Sequence, residues 1–201
     1  MKKHIYHHTD KSKSSFYYLP NFLNKIEQEN ILKYLEKMND FYPCKNYQDK
    51  NFRYQKWYQK DKKYFNPHWK IKYKRWESFN YDTFLINLEK KISLVAPQIK
   101  INSCLKNKYI NGDNYISRHR DSKTSFGEYP NILILSIGST RSIVFNRLKS
   151  EKLKPEKISF PLESGSIFIM TGSSQKFFVH EIPKTKTQKI RYSLTFRNFI
   201  L

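Results

Sequence analysis

Three residues in the second half of the chain have the types and spacing to bind a metal ion. His119 and Asp121 are separated by one residue, and His180 follows about sixty residues later. In an extended strand alternate side chains share a face, so His119 and Asp121 project together while Arg120 points away. Two imidazoles and one carboxylate form the set that holds non-haem Fe(II) on one face and leaves other positions open for oxygen and a co-substrate.

A second polar pattern lies at the end of the chain, in the sequence Arg191-Tyr-Ser-Leu-Thr-Phe-Arg197. Strand periodicity places Arg191, Ser193, Thr195 and Arg197 on one face, and the three apolar residues between them on the other. One interpretation is a half-exposed strand with a solvated polar face. The other is a pair of fixed cations that holds an organic diacid beside the metal.

Composition indicates a basic, single-domain protein. The 201 residues include 38 Lys and Arg against 17 Asp and Glu, a net charge of +21, and this excess favours a polyanionic partner. Part of the lysine excess also fits an AT-rich genome, since the chain has a single alanine. Two unpatterned cysteines, Cys44 and Cys104, fit a reducing compartment.

These features lead to expectations about location and assembly. No apolar run reaches the length of a membrane span, and residues 1–8 lack the apolar core of a signal peptide. We therefore expect an intracellular monomer without membrane contact, in the cytoplasm or the nucleus, and AT-rich composition also suits a virus-encoded protein.

The chain divides into a tail and one domain. Residues 1–14 are polar and are expected to be disordered, and residues 15–201 form the domain. Asn24 and Glu27 have the spacing of a capping box, which predicts a helix with Ile31, Leu32, Leu35 and Met38 on its apolar face. A second amphipathic helix is predicted over 82–95, before Pro97. Both helices are expected to cover a sheet.

From about residue 101 to the end, short β-branched and aromatic runs alternate with turn residues. The predicted strands are 101–109, 115–119, 132–137, 142–145, 158–160, 166–170, 177–180 and 190–196. Eight closely spaced strands that follow helices predict an α+β fold, in which helices pack on one face of a cupin-like jelly roll, also called a double-stranded β-helix. Residues 101–201 form this core.

The stretch 41–81 between the helices has an unusual composition. Fourteen of its 41 residues are aromatic and eleven are Lys or Arg. Stacking platforms beside cations suit a nucleic-acid surface, because a base stacked on an aromatic ring is worth about 1–3 kcal/mol. The alternative is a lid or strand pair that packs on the core with its lysines outward. The candidates for stacking are Tyr54, Trp57, Trp69 and Trp76, and those for phosphate contact are Arg53, Lys56, Lys70 and Lys74.

Taken together, these motifs resemble the AlkB-like Fe(II) and 2-oxoglutarate-dependent dioxygenases, nearest to the animal-type members that dealkylate nucleic acids. The resemblance covers most of the chain and is densest from Cys104 to Leu201. The residues that carry it include Asn107-Lys-Tyr109, His119-Arg-Asp121, Ser136-Ile-Gly138, Arg141, His180 and Arg191-x-Ser-x-Thr-x-Arg197.

The resemblance implies a role for each matched residue. His119, Asp121 and His180 match the iron ligands. Arg191 matches the arginine that pairs with the distal carboxylate of 2-oxoglutarate, and Arg197 matches the one near the end that chelates iron. Asn107 and Tyr109 match side chains that hydrogen-bond the co-substrate. Ser193 and Thr195, on the same face as the two arginines, are also predicted to bind the co-substrate. Arginine suits such roles because it binds a carboxylate with two parallel hydrogen bonds.

The activity that the resemblance implies is oxidative removal of alkyl groups from N-alkylated bases in DNA or RNA, with Fe(II), 2-oxoglutarate and O2. The resemblance also implies that the stretch 41–81 forms a nucleotide-recognition lid. DNA-repair members usually carry an acidic base-reading residue two positions after the aspartate, where this chain has Lys123. Glu128 or Asp113 are possible substitutes, and Lys123 is itself a candidate nucleic-acid contact.

Two other functions stay open. One is the same oxygenase core acting on a protein substrate, and the other is a catalytically silent nucleic-acid-binding module.

Overall fold

The computed structural model describes residues 1–45, 51–61, 63, 65, 74–148 and 156–201. Thirteen strands lie in this part of the chain. They are β1 (Lys2–His7), β2 (Lys13–Leu19), β3 (Tyr42–Lys45), β4 (Asn51–Gln59), β5 (Ser78–Phe79), β6 (Ser103–Tyr109), β7 (Ile116–His119), β8 (Ile132–Gly138), β9 (Arg141–Arg147), β10 (Lys157–Leu162), β11 (Ile167–Gly172), β12 (Phe178–Ile182) and β13 (Arg191–Arg197).

Two longer helices and two single-turn helices accompany the strands. They are α1 (Lys25–Glu36), α2 (Thr83–Val95), α3 (Lys123–Phe126) and α4 (Ser174–Phe177), and a 3-10 turn covers Lys74–Trp76. Asn24 caps α1 in a capping box with Glu27, as predicted. Asp82 caps α2 by accepting from the Leu85 amide at 2.8 Å. Both predicted helices are therefore confirmed, because their caps and apolar stripes are local signals.

The strands form two sheets. The larger has the order β1-β2-β11-β8-β13-β6-β4-β3, with β5 beside β4, and the smaller has the order β10-β9-β12-β7. All described pairings are antiparallel except that of β4 with β5. The eight strands predicted after residue 101 are all present, and the predicted jelly roll with helices on one outer face is confirmed.

Two apolar layers hold the sheets and helices together. One lies between the sheets and includes Phe16, Phe145 and Phe178. The other lies between the larger sheet and the two long helices, and includes Leu35 and Leu88. The larger sheet is thus covered on both faces, which explains why β8 reads as a nearly continuous apolar run.

The expectation of a disordered tail at residues 1–14 is wrong. Strand β1 pairs with β2 along its whole length, and β2 in turn pairs with β11 in the larger sheet. The Tyr6 ring contacts the rings of Phe16 and Phe178 at 5.7 Å each. His8 stacks on Phe177 at 3.8 Å. These few aromatic anchors hold the hairpin although the other side chains of β1 are mostly polar and exposed.

Strands β3, β4 and β5 account for the described part of the stretch 41–81. They extend the larger sheet through the pairing of β4 with β6. This arrangement matches the alternative of strands packed on the core. No helix in the described part of the chain is long and apolar enough to cross a membrane.

Candidate active site

The three predicted metal ligands converge at one end of the smaller sheet. His119 ends β7 and is paired in register with His180 of β12, so their rings lie 4.3 Å apart between centroids. Asp121 follows β7, and one ligand atom from each of the three side chains lies within 4.8 Å of the others. The structure therefore places in one cluster residues that are sixty positions apart in the sequence.

One prediction about this segment is wrong. Arg120 was expected to point away from His119 and Asp121, yet it also lines the cavity above them. Strand β7 ends at His119, so the strict alternation of side chains ends there too. Arg120 is an exposed residue at the cavity mouth.

Hydrogen bonding, burial and neighbouring charges keep the three side chains in the protonation states that bind a metal cation. His119 Nδ1 lies 2.9 Å from the Ser117 carbonyl, a contact that leaves Nε2 free for a metal. Burial lowers the pKa of His180 to about 3, and the neighbouring His119 contributes to the shift. Burial raises the pKa of Asp121, but Arg197, His119 and His180 together more than offset this effect and the net shift is downward. Neutral imidazoles and an ionised carboxylate are the forms that bind metals.

The donor set fits Fe(II). Two imidazoles and a carboxylate on one side of a cavity are typical of non-haem iron oxygenases, whereas structural zinc sites have four protein ligands. His180 Nδ1 is buried and has no hydrogen-bond partner in the described part of the structure. Among the described residues these three are the only such cluster.

Strand β13 carries the predicted polar face into the same cavity. The side chains of Arg191, Ser193, Thr195 and Arg197 all line it. The intervening residues Tyr192, Leu194 and Phe196 pack in the layer beneath the helices. The four polar residues are buried rather than solvated, with Arg191 only 1% exposed. The interpretation of β13 as a solvent-facing strand is therefore wrong.

Arg191 is a buried cation with unused donors. Its Nη2 donates to Ser136 Oγ at 3.0 Å, but its Nε and Nη1 have no partner among the described residues. The guanidinium lies over the Tyr109 ring, 5.0 Å from its centroid. Burial lowers the pKa of Arg191, although this side chain stays charged. An unpaired buried charge is costly, so its donors are suited to an anionic ligand.

Arg197 lies closer to the metal cluster. Its Nε donates to Asp121 Oδ2 at 2.5 Å, and both side chains are less than a tenth exposed. This ion pair fixes the carboxylate that faces the metal position. Arg197 thus lies at the iron end of the cavity, as its predicted role requires.

Asn107 and Tyr109 join the site through strand pairing. Tyr109 is opposite Arg191 and Asn107 is opposite Ser193 in the β6–β13 ladder. The Asn107 amide donates to Ser193 Oγ at 3.4 Å and accepts from Arg53 Nε at 3.1 Å. Every residue predicted to hold the metal or the co-substrate therefore lines a single cavity of about 280 Å³.

An aromatic cluster forms the wall of this cavity opposite the smaller sheet. It comprises Trp57, Phe65, Trp76 and Phe126, with Phe199 behind them. Phe65 stacks on Trp76 at 4.2 Å, and Trp57 contacts Phe126 edge-on at 6.3 Å. We call these five residues the aromatic wall.

The predicted nucleic-acid contacts divide into four groups. Arg53, Trp57 and Trp76 line the cavity. Of the rest, Tyr54 and Lys56 lie on the opposite face of β4, Lys74 and Lys123 are exposed and do not line the cavity, and Trp69 and Lys70 lie outside the described residues.

Lys56 and Trp57 correct two of these predictions. Lys56 is 6% exposed, forms an ion pair with Asp40 and lies over the Phe79 ring, so it is not free for a phosphate. Trp57 is fully buried and belongs to the cavity wall as a core residue, so it is not available as a wedge. Alternation along β4 explains the division, since odd-numbered residues face the cavity and even-numbered ones face the helices.

Two buried residues near the site carry no predicted role. Gln175 of α4 accepts from the Asp121 amide at 2.9 Å and so positions the ligand's backbone. Arg141 donates to the carbonyls of Asn111, Asn114 and Pro183 at 3.3, 2.9 and 2.5 Å, which ties together the loops beside β7 and β12. Arginine is seldom fully buried in a strand. In the sequence, Arg141 was identified only as one of the residues that carry the resemblance.

Comparisons with known proteins agree with this geometry. The model of the family described as the 2OG-Fe(II) oxygenase superfamily matches residues 15–197. The chain is 29% identical over 142 residues to DNA oxidative demethylase ALKBH2 of Arabidopsis thaliana, which covers 60% of this chain and 45% of that protein. It is 32% identical over 102 residues to the human alpha-ketoglutarate-dependent dioxygenase alkB homolog 3, covering 48% and 36%. The matched segments span less than half of these relatives.

Solved structures show the same fold at lower identity. The structure of OsALKBH1 has a TM-score of 0.63 and 17% identity, covering 91% of this chain and 97% of that one. A prolyl hydroxylase from Trichoplax adhaerens has a TM-score of 0.61 and 12% identity, covering 92% and 83%. The chain therefore belongs to the 2OG-Fe(II) oxygenase superfamily, oxidoreductases that use Fe(II), 2-oxoglutarate and O2, and it is an AlkB-like member of that superfamily.

Proposed function

We propose that this chain removes alkyl groups oxidatively from N-alkylated bases in DNA or RNA. The observation that carries the proposal is the juxtaposition of the metal cluster with the aromatic wall in one cavity. An apolar wall beside an oxidising centre suits a planar base whose alkyl group points at the metal.

The chemistry depends on a bound metal and co-substrate. When bound, Fe(II) and 2-oxoglutarate allow O2 to hydroxylate the carbon attached to the base nitrogen, with conversion of the co-substrate to succinate and CO2. The hydroxylated carbon then leaves as an aldehyde as its bond to nitrogen breaks. The electron pair of that bond stays on the nitrogen, and the hydroxyl proton passes to the nitrogen of a neutral base or to solvent from a cationic one.

The residues of the chain bind and orient the reactants. Arg191 would hold the distal carboxylate of the co-substrate with the Nε and Nη1 donors that lack partners among the described residues. Asp121 stays ionised beside Arg197, and His119 keeps one tautomer through its contact with Ser117. The aromatic wall excludes water from the reacting carbon, which strengthens these polar interactions.

The base must leave a duplex to reach such a site. Alkyl groups on the Watson–Crick edge are buried by pairing and stacking, so an enzyme must flip the base or act on an unpaired one. The stretch 41–81 would then act as a lid over the flipped base, and it contributes Arg53, Trp57, Phe65 and Trp76 to the cavity wall. The net charge of +21 supports a nucleic-acid partner, because cations neutralise phosphates.

Relatives support this substrate class. The Arabidopsis relative and a human relative that is 30% identical over 105 residues are both named DNA oxidative demethylase. Transfer of that activity to this chain is part of the proposal.

A substrate panel tests the proposal. The full chain is incubated with Fe(II), 2-oxoglutarate, ascorbate and oligonucleotides that each carry one methylated base, as single-stranded DNA, duplex DNA and RNA. Loss of one methyl mass from an oligonucleotide, absent in His119→Ala, is the expected result.

Other outcomes of the panel favour the rivals. In a parallel incubation a methylated peptide replaces the oligonucleotide, and turnover of the peptide but of no oligonucleotide indicates a protein substrate. Oligonucleotide binding without any consumption of 2-oxoglutarate indicates a silent binding module. Either result contradicts the proposed function.

A further inference from the structure

We propose that the site prefers alkylated bases that are electrically neutral over those that are cationic, an inference that rests on the proposed function. Methylation of N1 in adenine or N3 in cytosine adds an alkyl group to a nitrogen that had no proton, and the base becomes a cation. Methylation of N1 in guanine or N3 in thymine replaces a proton, and the base stays neutral. The two classes have similar shapes and differ in charge.

The charges on the cavity wall are predominantly positive. Four arginines line the cavity, namely Arg53, Arg120, Arg191 and Arg197, and Asp121 is the one carboxylate among the described lining residues. Asp121 is already paired with Arg197 at 2.5 Å and also faces the metal position. The two negative charges of a diacid co-substrate balance the two positive charges of the arginines in β13. The inner site therefore gains no net negative charge that would attract a cation.

Arg53 and Arg120 leave the outer part of the cavity positive. The described hydrogen-bond acceptors of the Arg53 guanidinium are the neutral amide oxygens of Asn107 at 3.1 Å and Gln55 at 3.4 Å, and the guanidinium also lies over the Phe52 ring. Arg120 is exposed at the mouth and forms no ion pair with a described carboxylate. A cationic base that enters this space meets like charges, and like charges at close range are unfavourable.

The acidic residues near this part of the chain do not compensate. Glu128 lies 3.6 Å from Lys123, and both side chains are more than half exposed. Neither they nor Asp113 line the cavity. The segment 66–73 lies outside the described residues, and its sequence contains no Asp or Glu.

The aromatic wall does not form an open cage for a cation. The face of Phe126 already holds the Arg197 guanidinium, 5.1 Å from the ring centroid. Phe65 and Trp76 stack on each other, and Trp57 is fully buried. These rings offer apolar contact and edges, whereas cation recognition needs free ring faces.

A matched comparison of lesions tests the inference. Single-stranded oligonucleotides of one sequence carry 1-methylguanine, 3-methylthymine, 1-methyladenine or 3-methylcytosine, and kcat/KM is measured for each with the full chain. We expect the neutral lesions to exceed the cationic ones by about tenfold or more, which corresponds to about 1.4 kcal/mol in the transition state. Equal values, or higher values for the cationic lesions, overturn the inference while the proposed function stands.

Two variants test the physical cause. Arg120→Glu reverses the charge at the mouth, and we expect it to shift the ratio of cationic to neutral turnover upward by about tenfold. Arg118→Glu is the matched control, because Arg118 is two residues away, its side chain is 62% exposed and it pairs with Glu181 outside the cavity. A ratio that Arg120→Glu leaves unchanged, or that both variants shift equally, contradicts the electrostatic cause. Failure to act on any lesion, with 2-oxoglutarate still consumed, refutes the proposed function and this inference with it.

Discussion

Arg191 and Arg141 form a natural pair for testing the co-substrate site. Both are fully buried, and both guanidinium groups lie over the ring of Tyr109, at 5.0 and 5.7 Å. Arg141 donates to three backbone carbonyls and only its Nε lacks a partner among the described residues, whereas both Nε and Nη1 of Arg191 lack one. We interpret the first as a structural cation and the second as a ligand-binding cation, so the same substitution should have different effects at the two positions.

The expected magnitudes follow from these contacts. Arg191→Met removes two donors from the diacid, and hydrogen bonds that involve charged groups are worth about 1.5–3 kcal/mol each. The affinity for 2-oxoglutarate should therefore fall by about 100-fold to 10,000-fold. Without co-substrate the variant should lose less than about 1 kcal/mol of stability, because it also removes an unpaired buried charge. Arg141→Met leaves three carbonyls without their donor and should cost about 3–5 kcal/mol.

The assay combines chemical denaturation of the apoprotein with equilibrium binding of 2-oxoglutarate under anaerobic conditions, with Mn(II) in place of Fe(II). In the native protein, co-substrate at 100 times its Kd should add about 2.7 kcal/mol to stability, and Arg191→Met should lose this increment at the same concentration. If Arg191→Met retains normal affinity, or if it destabilises the apoprotein as much as Arg141→Met does, the assignment of Arg191 is refuted.

Three further predictions concern other parts of the molecule. Asp121→Ala should abolish iron binding and, since it leaves Arg197 buried without its partner, should cost the apoprotein about 3–5 kcal/mol; normal iron content by elemental analysis would contradict the ligand assignment. Lys106 of β6 is fully buried, its ammonium group contacts Tyr34 of α1 and Phe84 of α2, and burial lowers its pKa to about 8. Between about pH 8 and the ordinary value of 10.5, the unfolded state then holds more protons at this residue than the folded state, so the free energy of unfolding should rise with pH across that window. Lys106→Met should be more stable at pH 7 by up to about 3 kcal/mol. Denaturation curves of both proteins at several pH values would contradict this if the free energy of unfolding of the native protein fell with pH in that window. Tyr6→Ala should cost about 1–2 kcal/mol because the ring packs on Phe16 and Phe178, whereas Ile5→Ala on the exposed face should cost less, and equal effects would argue against a folded β1.

The sequence predicted those features that depend on local signals or on strict alternation. The caps of α1 and α2 are local, and each lies where its residues predicted. The alternation in β13 separated the cavity side chains from the apolar ones correctly. Alternation does not show whether the polar face of a strand meets solvent or a cavity, because this depends on whether a second sheet packs opposite that face. The resemblance, rather than the pattern, identified the face of β13 as a binding surface.

The errors arose where long-range contacts decide the structure. Strand β1 has few apolar residues, and it folds because β2 joins β11, more than a hundred residues away. Lys56 was expected at a phosphate, but alternation in β4 and the presence of Asp40 place it toward the helices. Gln175 and Arg141 contact backbone atoms of distant loops, and no short motif predicts such contacts.

The coupling between co-substrate and base is the most direct test of the account. Succinate and formaldehyde are measured together while the full chain, loaded with Fe(II), turns over an oligonucleotide that carries one N-methylated base. The account predicts one formaldehyde for each demethylated base, succinate that rises with it in equal amount, and loss of both products in Asp121→Ala. Succinate formation that no methylated DNA or RNA accelerates, or demethylation that survives in Asp121→Ala, would contradict it.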